Sequence, residues 1–457
     1  MMRMIMKKTP GRTFVGPLAV FLVSLTALSV VCALPENVYG QERLSLREAV
    51  FEALERNPDI LVARGEERIS RNNVNIGNAG LLPRIDLVGS VNYQDNEEPA
   101  QTGLTEYTST SAAIKASYTL FDGFGNIYTF RKLKSAGRKG MLQARNTIEN
   151  VILSVGEAYY GLADAVEQVA VAEEAIAISG DRLKRARLRS EYGQANALEV
   201  LSATVDANAD SVSWKDAVLG MENARRTLNL LLDRPIGSNY QIEKEVRYDA
   251  TLKKDDVLAE AKTSYSSYLI TLEAVKQAEY GVGIARSDFF PQLGVEASYG
   301  YSETLEGFDA GMNDPSGSFS AGLTLTYNLF NGFQSSINSQ NARIELQNSR
   351  LLERKAAAEL EKQVADTWQA YRNSLDILEF QKKNLETAEL NFRRSKELYV
   401  LGQLTTTAFR EAQLNLIDAR KSIASAGYDA KILEQRLLRL AGRLVGEGDK
   451  AEVGSEN

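Results

Sequence analysis

Tyr118-Thr119-Leu120-Phe121-Asp122-Gly123-Phe124 and Tyr327-Asn328-Leu329-Phe330-Asn331-Gly332-Phe333 are two versions of one segment. A second pair precedes them: Leu81-Leu82-Pro83-Arg84-Ile85 and Phe289-Phe290-Pro291-Gln292-Leu293. Pro83 and Pro291 lie 208 positions apart, and Gly123 and Gly332 lie 209 apart. Two unlike motifs that recur at nearly one offset mark an internal duplication, and a duplicated unit restricts the architectures open to the chain.

Between and around these motifs the pattern alternates by two. Ile85, Leu87, Gly89, Val91 and Tyr93 interleave with Asp86, Val88, Ser90 and Asn92, and Ile114, Ala116, Tyr118 and Leu120 interleave with Lys115, Ser117 and Thr119. The second copy repeats this from Leu293 to Tyr301 and from Phe319 to Leu329. One face of each strand is apolar and the other polar or small. The spacing predicts strands over about 85–94, 112–121, 292–301 and 319–329. Each has the length of a tilted membrane-crossing strand. A soluble sandwich would use the same alternation. Aromatics at the strand ends (Tyr93, Tyr118, Phe121, Tyr299, Tyr301, Tyr327, Phe330) and long polar loops at 94–111 and 302–318 favour lipid on the apolar side. About eight strands is the smallest workable barrel, so four per chain require an oligomer.

The rest of the chain is helical. Two stretches, 100–234 and 316–457, contain no proline, which permits very long helices. Ile148, Ile152, Val155, Tyr159, Leu162, Val166 and Val169 step by three and four, and Val364, Tyr371, Leu378, Leu385, Phe392 and Tyr399 step by seven. Phe409, Ala412, Leu416, Ala419, Ile423, Ala426, Ala430, Leu433, Leu437 and Leu440 return to threes and fours. Such heptads mark helices packed nearly parallel. A long helix over 126–190 breaks at Tyr192-Gly193-Gln194-Ala195-Asn196 and resumes over 196–232. A second over 335–399 breaks at Gly402-Gln403-Leu404-Thr405 and resumes over 405–442. Glycine after a helix, then a capping Asn or Thr, reads as a tight hairpin. At 1.5 Å per residue each longer arm reaches roughly 100 Å.

The ends and the composition bound the function. Arg3, Lys7, Lys8 and Arg12 precede an apolar run from Phe14 to Ala33, and Pro35 breaks it. Residues 1–40 read as a secretory signal peptide with maturation at Gln41. Val31-Cys32-Ala33 offers a second cut and a lipoprotein reading, although branched Val31 stands where lipidation signals want a small residue. Beyond Cys32 the chain has no cysteine, and it has no histidine at all. That removes disulfides, Ser-His-Asp and Cys-His catalysis, and His- or Cys-based zinc sites. No cofactor, metal or catalytic site is expected. The net charge is −7, and since 1–40 contributes +3, the remainder carries about −10. An acidic exported chain is not a nucleic-acid binder. No later segment approaches the apolar length of a spanning helix, which leaves a soluble protein or a β-barrel. The duplication divides the mature chain into repeats 41–247 and 248–445, with 235–253 a weak link between them and 446–457 a disordered acidic tail.

Taken together, the duplicated strand pairs, the long hairpins and the export signal resemble the TolC-type outer-membrane efflux and secretion channels. The resemblance covers about 43–445 and rests on Pro83 and Pro291, Leu-Phe-Asp/Asn-Gly at 120–123 and 329–332, and Gly193 and Gly402. It implies an α+β membrane protein: a homotrimer whose 12-stranded β-barrel in the outer membrane of a Gram-negative bacterium continues as a 12-helix periplasmic α-barrel. It implies a passive duct for a tripartite efflux pump or type I secretion system, with a periplasmic adaptor and an inner-membrane pump of RND or ABC type as partners. A periplasmic coiled-coil adaptor is the alternative, and the alternating strands speak against it.

Site residues follow from the resemblance by position. Asp122, Gly123, Asn331 and Gly332 fall at the strand–helix turns, where Asp and Asn suit a turn and glycine relieves backbone strain. Gly193, Gln194, Gly402, Gln403 and Leu404 fall at the tips that would meet the adaptor. Tyr399 matches a gate tyrosine, Glu199 the acid that partners it, and Glu411 one of two ring acids. Leu404 stands where the best-known member has arginine, and Ala408 where it has the other ring aspartate, so this gate would be less ionic. Tyr399 also lies on the heptad stripe, where simple packing would explain it, and Glu199 and Glu411 would equally suit a solvated helix face.

Overall fold

The structure, a computed structural model, describes residues 43–97, 105–194, 196–249 and 251–444. The stretches read from sequence as signal peptide and acidic tail lie outside the described residues. In chain order the elements are β1 (Arg43–Leu44), α1 (Leu46–Arg56), α2 (Pro58–Asn72), β2 (Arg84–Asp95), β3 (Glu106–Phe121), α3 (Gly125–Glu191) and α4 (Ala197–Leu231). There follow β4 (Gln241–Ile242), α5 (Lys254–Ser264), α6 (Ser266–Ser287), β5 (Gln292–Glu306), β6 (Ser316–Thr326), α7 (Gln334–Val400) and α8 (Thr406–Leu440). The long helices α3 and α7 each have 67 residues, and α4 and α8 each have 35. Each pair begins and ends 209 positions apart, while α1 and α5 begin and end 208 apart.

Strands β2, β3, β5 and β6 form one antiparallel sheet in that order. Register makes its apolar face continuous. Leu87 lies opposite Ile114, Ile114 opposite Tyr299, and Tyr299 opposite Phe319. Ile85, Ala116, Ala297 and Ala321 form the next row of that face. Its large members Ile85, Leu87, Ile114, Tyr299, Phe319 and Leu323 are exposed in the single chain. The other face carries hydroxyl pairs, Ser90–Ser111 and Ser298–Ser320 at 2.8 Å and Ser109–Thr304 at 3.0 Å, with the Lys115–Glu296 ion pair at 3.1 Å.

The strands differ from their predicted spans in an informative way. β3 begins at Glu106 instead of 112, and β5 runs on to Glu306 past 301. Thr108, Ser109 and Thr110 pair with Leu305, Thr304 and Glu303, and these polar side chains hide the alternation that sequence reading relies on. The loops are correspondingly shorter than 94–111 and 302–318. β6 runs over Ser316–Thr326 and stops short of 329. Thr326 already pairs with Gln292, the first residue of β5, so 327–329 have no partner on that side.

Two cores sit at mid-height on the long helices. One gathers Leu44, Ala49, Ala53, Ile60, Ile148, Val155, Tyr159, Leu228 and Leu232. The other gathers Leu252, Val257, Ala261, Leu360, Val364, Tyr371, Leu437 and Leu440. The heptad stripe of α7 is buried at Val364, Tyr371, Leu378 and Tyr399, and it meets α8. Both cores are pegged by an aromatic donor. Tyr159 donates to the Leu44 carbonyl at 2.9 Å and accepts from the Glu243 N–H at 3.0 Å; burial pushes its phenol up to about 12. Trp368, 209 positions on, donates to the Leu252 carbonyl at 3.3 Å, and Leu252 is the counterpart of Leu44. Tyr371 adds a bond to the Asp249 carbonyl at 2.9 Å. The link 235–253, read from sequence as weak, is therefore anchored to both long helices, and its β4 pairs in parallel with β1.

Helix α6 lies between α3 and α7, while α2 packs on α1 and α3. At the α3–α6 contact, buried Glu273 accepts from Ser135 Oγ and from Lys276 Nζ, both at 2.7 Å. Burial works to raise the Glu273 carboxyl, but bonds from Lys276 and Ser135 outweigh it and hold the group below its ordinary value of 4.5. A depressed carboxyl contributes stability above its unfolded value and loses it as pH falls through the folded one. Glu273→Gln is expected to cost about 1.5–3 kcal/mol near neutrality. It should also flatten the loss of melting temperature between neutral pH and acid, followed by circular dichroism at stepped pH.

Candidate functional site

Two regions carry the sequence candidates: the turns from strand to long helix, and the tips where each long helix doubles back. At the first turn Gly123 has φ +69° and Phe124, the next residue, φ +70°. At the second, Gly332 and Phe333 have +65° and +67°. Two successive left-handed residues reverse the chain from strand to helix. Asp122 Oδ2 accepts from the Asn126 N–H at 2.6 Å, and Asn331 Nδ2 donates to Ser335 Oγ at 2.8 Å. The phenylalanine offers no side-chain cap. Its strain is offset by an edge-to-face contact, Phe121–Phe124 and Phe330–Phe333, each at 5.4 Å between ring centres. The copies differ in surroundings. A Cβ on Gly123 would lie 2.7 Å from Phe290 Cβ and from the Ser287 carbonyl, whereas one on Gly332 would meet nothing within 4 Å.

Both tips close with the same hydrogen-bond pair. The Gly193 N–H reaches the Ser190 carbonyl at 3.0 Å and the Gln194 N–H reaches Arg189 at 2.7 Å. Gly402 reaches Tyr399 at 3.1 Å and Gln403 reaches Leu398 at 2.9 Å. This is the Schellman closure, which needs a left-handed residue at the glycine; both have φ +72°. Asn196 and Thr405 then cap α4 and α8 through Glu199 N–H and Ala408 N–H. Gly193, Gln194, Gly402 and Gln403 are exposed and Leu404 half-buried. Tyr192 and Leu401 beside them are large and exposed, at 78% and 69%.

The three gate candidates are not brought together within the chain. Glu199 accepts from Thr406 Oγ1 at 3.1 Å and pairs with Arg189 at 3.3 Å, so it bridges the two tips without reaching Tyr399. The Tyr399 ring stacks on Phe409 at 4.6 Å with the planes 5° apart, and its buried hydroxyl has no partner among the described residues. Phe409 turns Tyr399 into the α7–α8 seam, while Glu199 sits on the first turn of α4 facing the start of α8. Glu411 is exposed.

A charged cluster that sequence reading missed lies about one to four turns in from the tips. Arg410 of α8 grips Asp210 of α4 with two bonds of 2.7 Å, and its Nε lies 3.7 Å from Asp206. That fork keeps the Arg410 guanidinium more firmly protonated than usual. Arg182 of α3, 1% exposed, contacts Asp206. Gln413 donates to Asp210 and to the Ala175 carbonyl, both at 3.3 Å. Its signal was present in the sequence: Val171, Ala175, Ser179, Arg182 and Ala186 form one buried helical stripe, and an arginine on such a stripe needs an acid.

Truncating one partner of a buried pair strands the other charge, at about 3–5 kcal/mol. Arg410→Leu is expected to loosen the lower end, raising hydrogen exchange over 182–214 and 406–420 while the mid-height cores stay protected. Equal exchange in the variant would show the cluster to be energetically idle.

Comparison with known proteins covers nearly the whole chain. The family model described as Outer membrane efflux protein matches residues 49–233 and 272–443. The outer membrane efflux protein BepC of Brucella suis is 22% identical over 433 residues, covering 94% of this chain and 90% of BepC. The alkaline protease secretion protein AprF of Pseudomonas aeruginosa is 24% identical over 422 residues, covering 85% and 83%. The crystal structure of the Campylobacter jejuni CmeC outer membrane channel superposes with a TM-score of 0.79 at 17% identity, over 89% of this chain and 88% of that one.

Proposed function

The chain belongs to the outer membrane efflux protein family, and on that premise we propose that it is the subunit of a passive exit duct running from the periplasm through the outer membrane. The observation that carries this is the sheet. Four strands present one continuous apolar face and one hydroxyl-lined face, their two outer edges carry no partner among the described residues, and two of them lead into helices of 67 residues. Three copies would supply 12 strands and close the edges into a barrel. The same three copies would bring α3, α4, α7 and α8 into a 12-helix tunnel. The matched lengths of the two halves support reading each half as one repeat, a sixth of the ring, with residues 1–40 as the export signal.

The tips are the natural place for a constriction and for an adaptor. Gly193, Gln194, Gly402, Gln403 and Leu404 would meet the adaptor's end, joined by Tyr192 and Leu401. Glu199, tied to Thr406, would hold the two tips of a subunit together at the closed gate. Tyr399 would brace the seam behind them. Glu411 would face the entrance, so three copies would ring it with acid. An inner-membrane pump or transporter supplies the energy, and the names of BepC and AprF speak for efflux and secretion alike. The coiled-coil adaptor reading has no use for the apolar sheet face.

In mild detergent the protein is expected to run as a trimer and to conduct ions across planar bilayers; a soluble monomer without conductance overturns the duct. Millimolar trivalent cation at the periplasmic side should block the current, and Glu411→Gln should weaken that block about tenfold. An unchanged block in the variant removes Glu411 from the entrance.

A further inference from the structure

One heptad stripe runs along each long helix, and its chemistry changes between mid-height and the sheet. At mid-height on α3 it consists of Ile148, Ile152, Val155 and Tyr159, which α1 and the 235–253 link cover. On α7 the counterparts of the last two, Val364 and Trp368, are covered by α5 and Leu252. Counted back towards the sheet in steps of three and four, the α3 stripe reads Arg145, Met141, Arg138, Lys134 and Arg131, then Ile127 and Phe124. The α7 stripe reads Arg354, Arg350, Gln347, Arg343 and Gln340, then Ser336 and Phe333. Lys134 and Arg343 are counterparts at the offset of 209, as are Arg145 and Arg354. No acid occurs between Asp122 and Glu149.

The upper cations face solvent and most are unspent. Arg131, Lys134, Arg138, Arg343 and Arg354 are exposed and form no ion pair among the described residues, whereas Arg145 is tied to Glu149 at 2.7 Å and Arg350 to Glu279 at 3.0 Å. Arg131 lies 5.7 Å over the Tyr128 ring and Lys134 4.5 Å over Phe130, which steady both side chains against the helix. Arg343, Arg350 and Arg354 line a groove of about 460 Å³ whose lining includes one acid, Glu353. At the sheet end of the stripes Phe124, Ile127 and Phe333 are exposed. Apolar surface that gives way to cations along one stripe is the profile of a membrane interface. The heights agree with that. Arg131 follows Ile127 by four residues and Lys134 by seven, about 6 and 10 Å along the axis. A headgroup layer adds about 5–8 Å to each side of the hydrocarbon, and arginine and lysine stems span the remainder.

Resting on the duct reading above, we infer that Arg131, Lys134 and Arg138 of α3, with Arg343 of α7, form a cationic collar that binds the headgroup phosphates of anionic phospholipids in the periplasmic leaflet of the outer membrane. A tunnel wall carries α1, α5 and the link on its outer side only, since inside they would fill the bore. The stripe they cover at mid-height therefore faces outward above them as well. α6 and α2 close the two flanks of α3, through Ser135 against Glu273 and Gly140 against Ser70, which leaves the helix one outward and one inward face. Lys132 and Lys139, each one residue beyond a stripe position, turn away from the stripe towards the bore. Guanidinium and ammonium groups hold a phosphate through charge-assisted hydrogen bonds. A zwitterionic headgroup carries its own cation, so the collar selects lipids of net negative charge.

The test is lipid retention by the trimer in mild detergent, read by native mass spectrometry with phosphatidylglycerol and phosphatidylcholine as paired probes. Phosphatidylglycerol should be retained about fivefold over phosphatidylcholine. Arg131→Gln with Lys134→Gln and Arg343→Gln should bring that ratio to about one, with conductance in planar bilayers unchanged. Lys132→Gln with Lys139→Gln, which controls for net charge, should leave the ratio intact. The pair Arg131→Gln with Arg343→Gln should lower it by about half and decides the matter if the triple variant fails to assemble. A conducting trimer that retains both lipids equally, a ratio unchanged in the collar variants, or an equal fall in the control pair overturns the collar and leaves the duct standing. A monomer without conductance takes down the duct and the collar together.

Discussion

A sheet that meets lipid tolerates no open edge. Each unpaired N–H or C=O in hydrocarbon costs several kcal/mol, and no water is present to satisfy it. The outer edges of β2 and β6 are rows of such groups. Four strands are too few to curl into a barrel, so in the proposed duct closure comes from other copies. In the proposed ring, copies brought into register at the sheet must also be held at equal height for the whole length of the helices. The equal 67-residue and 35-residue spans meet that demand, since a one-residue difference would set the tips about 1.5 Å out of level.

Helices of that length are not self-supporting. A lone rod of 67 residues curves and frays at its ends, and two-helix packing gives it one buried stripe only. The mid-height cores change this. α1, α2, α5 and the 235–253 link wrap the long helices and are bound to them by Tyr159, Trp368 and Tyr371, each donating to a main-chain carbonyl outside its own helix. A donor buried in such a place is costly to leave unpaired, so the wrap is fixed in height along the rod as well as against it. Towards the tips the helices depend on their seams and on the cluster of Arg410 with Asp206 and Asp210 and Arg182 with Asp206.

The backbone plan was legible in the sequence because backbone demands are written in few residue types. Pro83 and Pro291, the left-handed glycines at both turns and both tips, and Asn196 and Thr405 at the caps all act locally, and each is read without knowing its neighbours. Lengths of strand were harder. Thr108, Ser109 and Thr110 extend β3 above the apolar band with hydroxyls on both faces, so no alternation marks them. Phe124 and Phe333 were missed as left-handed residues because nothing in a phenylalanine announces that conformation; its support is a ring contact three residues back. The 235–253 link looked weak since its order comes from Tyr159 and Tyr371, over eighty residues away in one direction and over a hundred in the other. Among the gate candidates, position along the helix was legible and contact was not: Glu199 finds Thr406 and Arg189, and Tyr399 finds Phe409.

Duplication explains which features stayed alike and which drifted. Left-handed glycine, helix length and cap are geometric, and altering either copy would tilt one half of every subunit against the other. Side-chain ties carry no such penalty, because a seam needs complementary chemistry only with whatever it touches. The copies accordingly diverge at the seams. Arg410 corresponds to Leu201, Glu273 to Gly65, Ser135 to Ile344 and Glu411 to Ser202. In the first two of these pairs the charged member sits at a contact made inside one chain, where its partner is always present at fixed concentration. Leu201, Gly65 and Ile344 lie on faces the chain leaves open. In the proposed ring a charge there would have to be desolvated afresh at each assembly step, so an apolar face is the cheaper one to bury between separate molecules. Polar ties within the chain and bare apolar faces at its margins are what a ring built from double units requires.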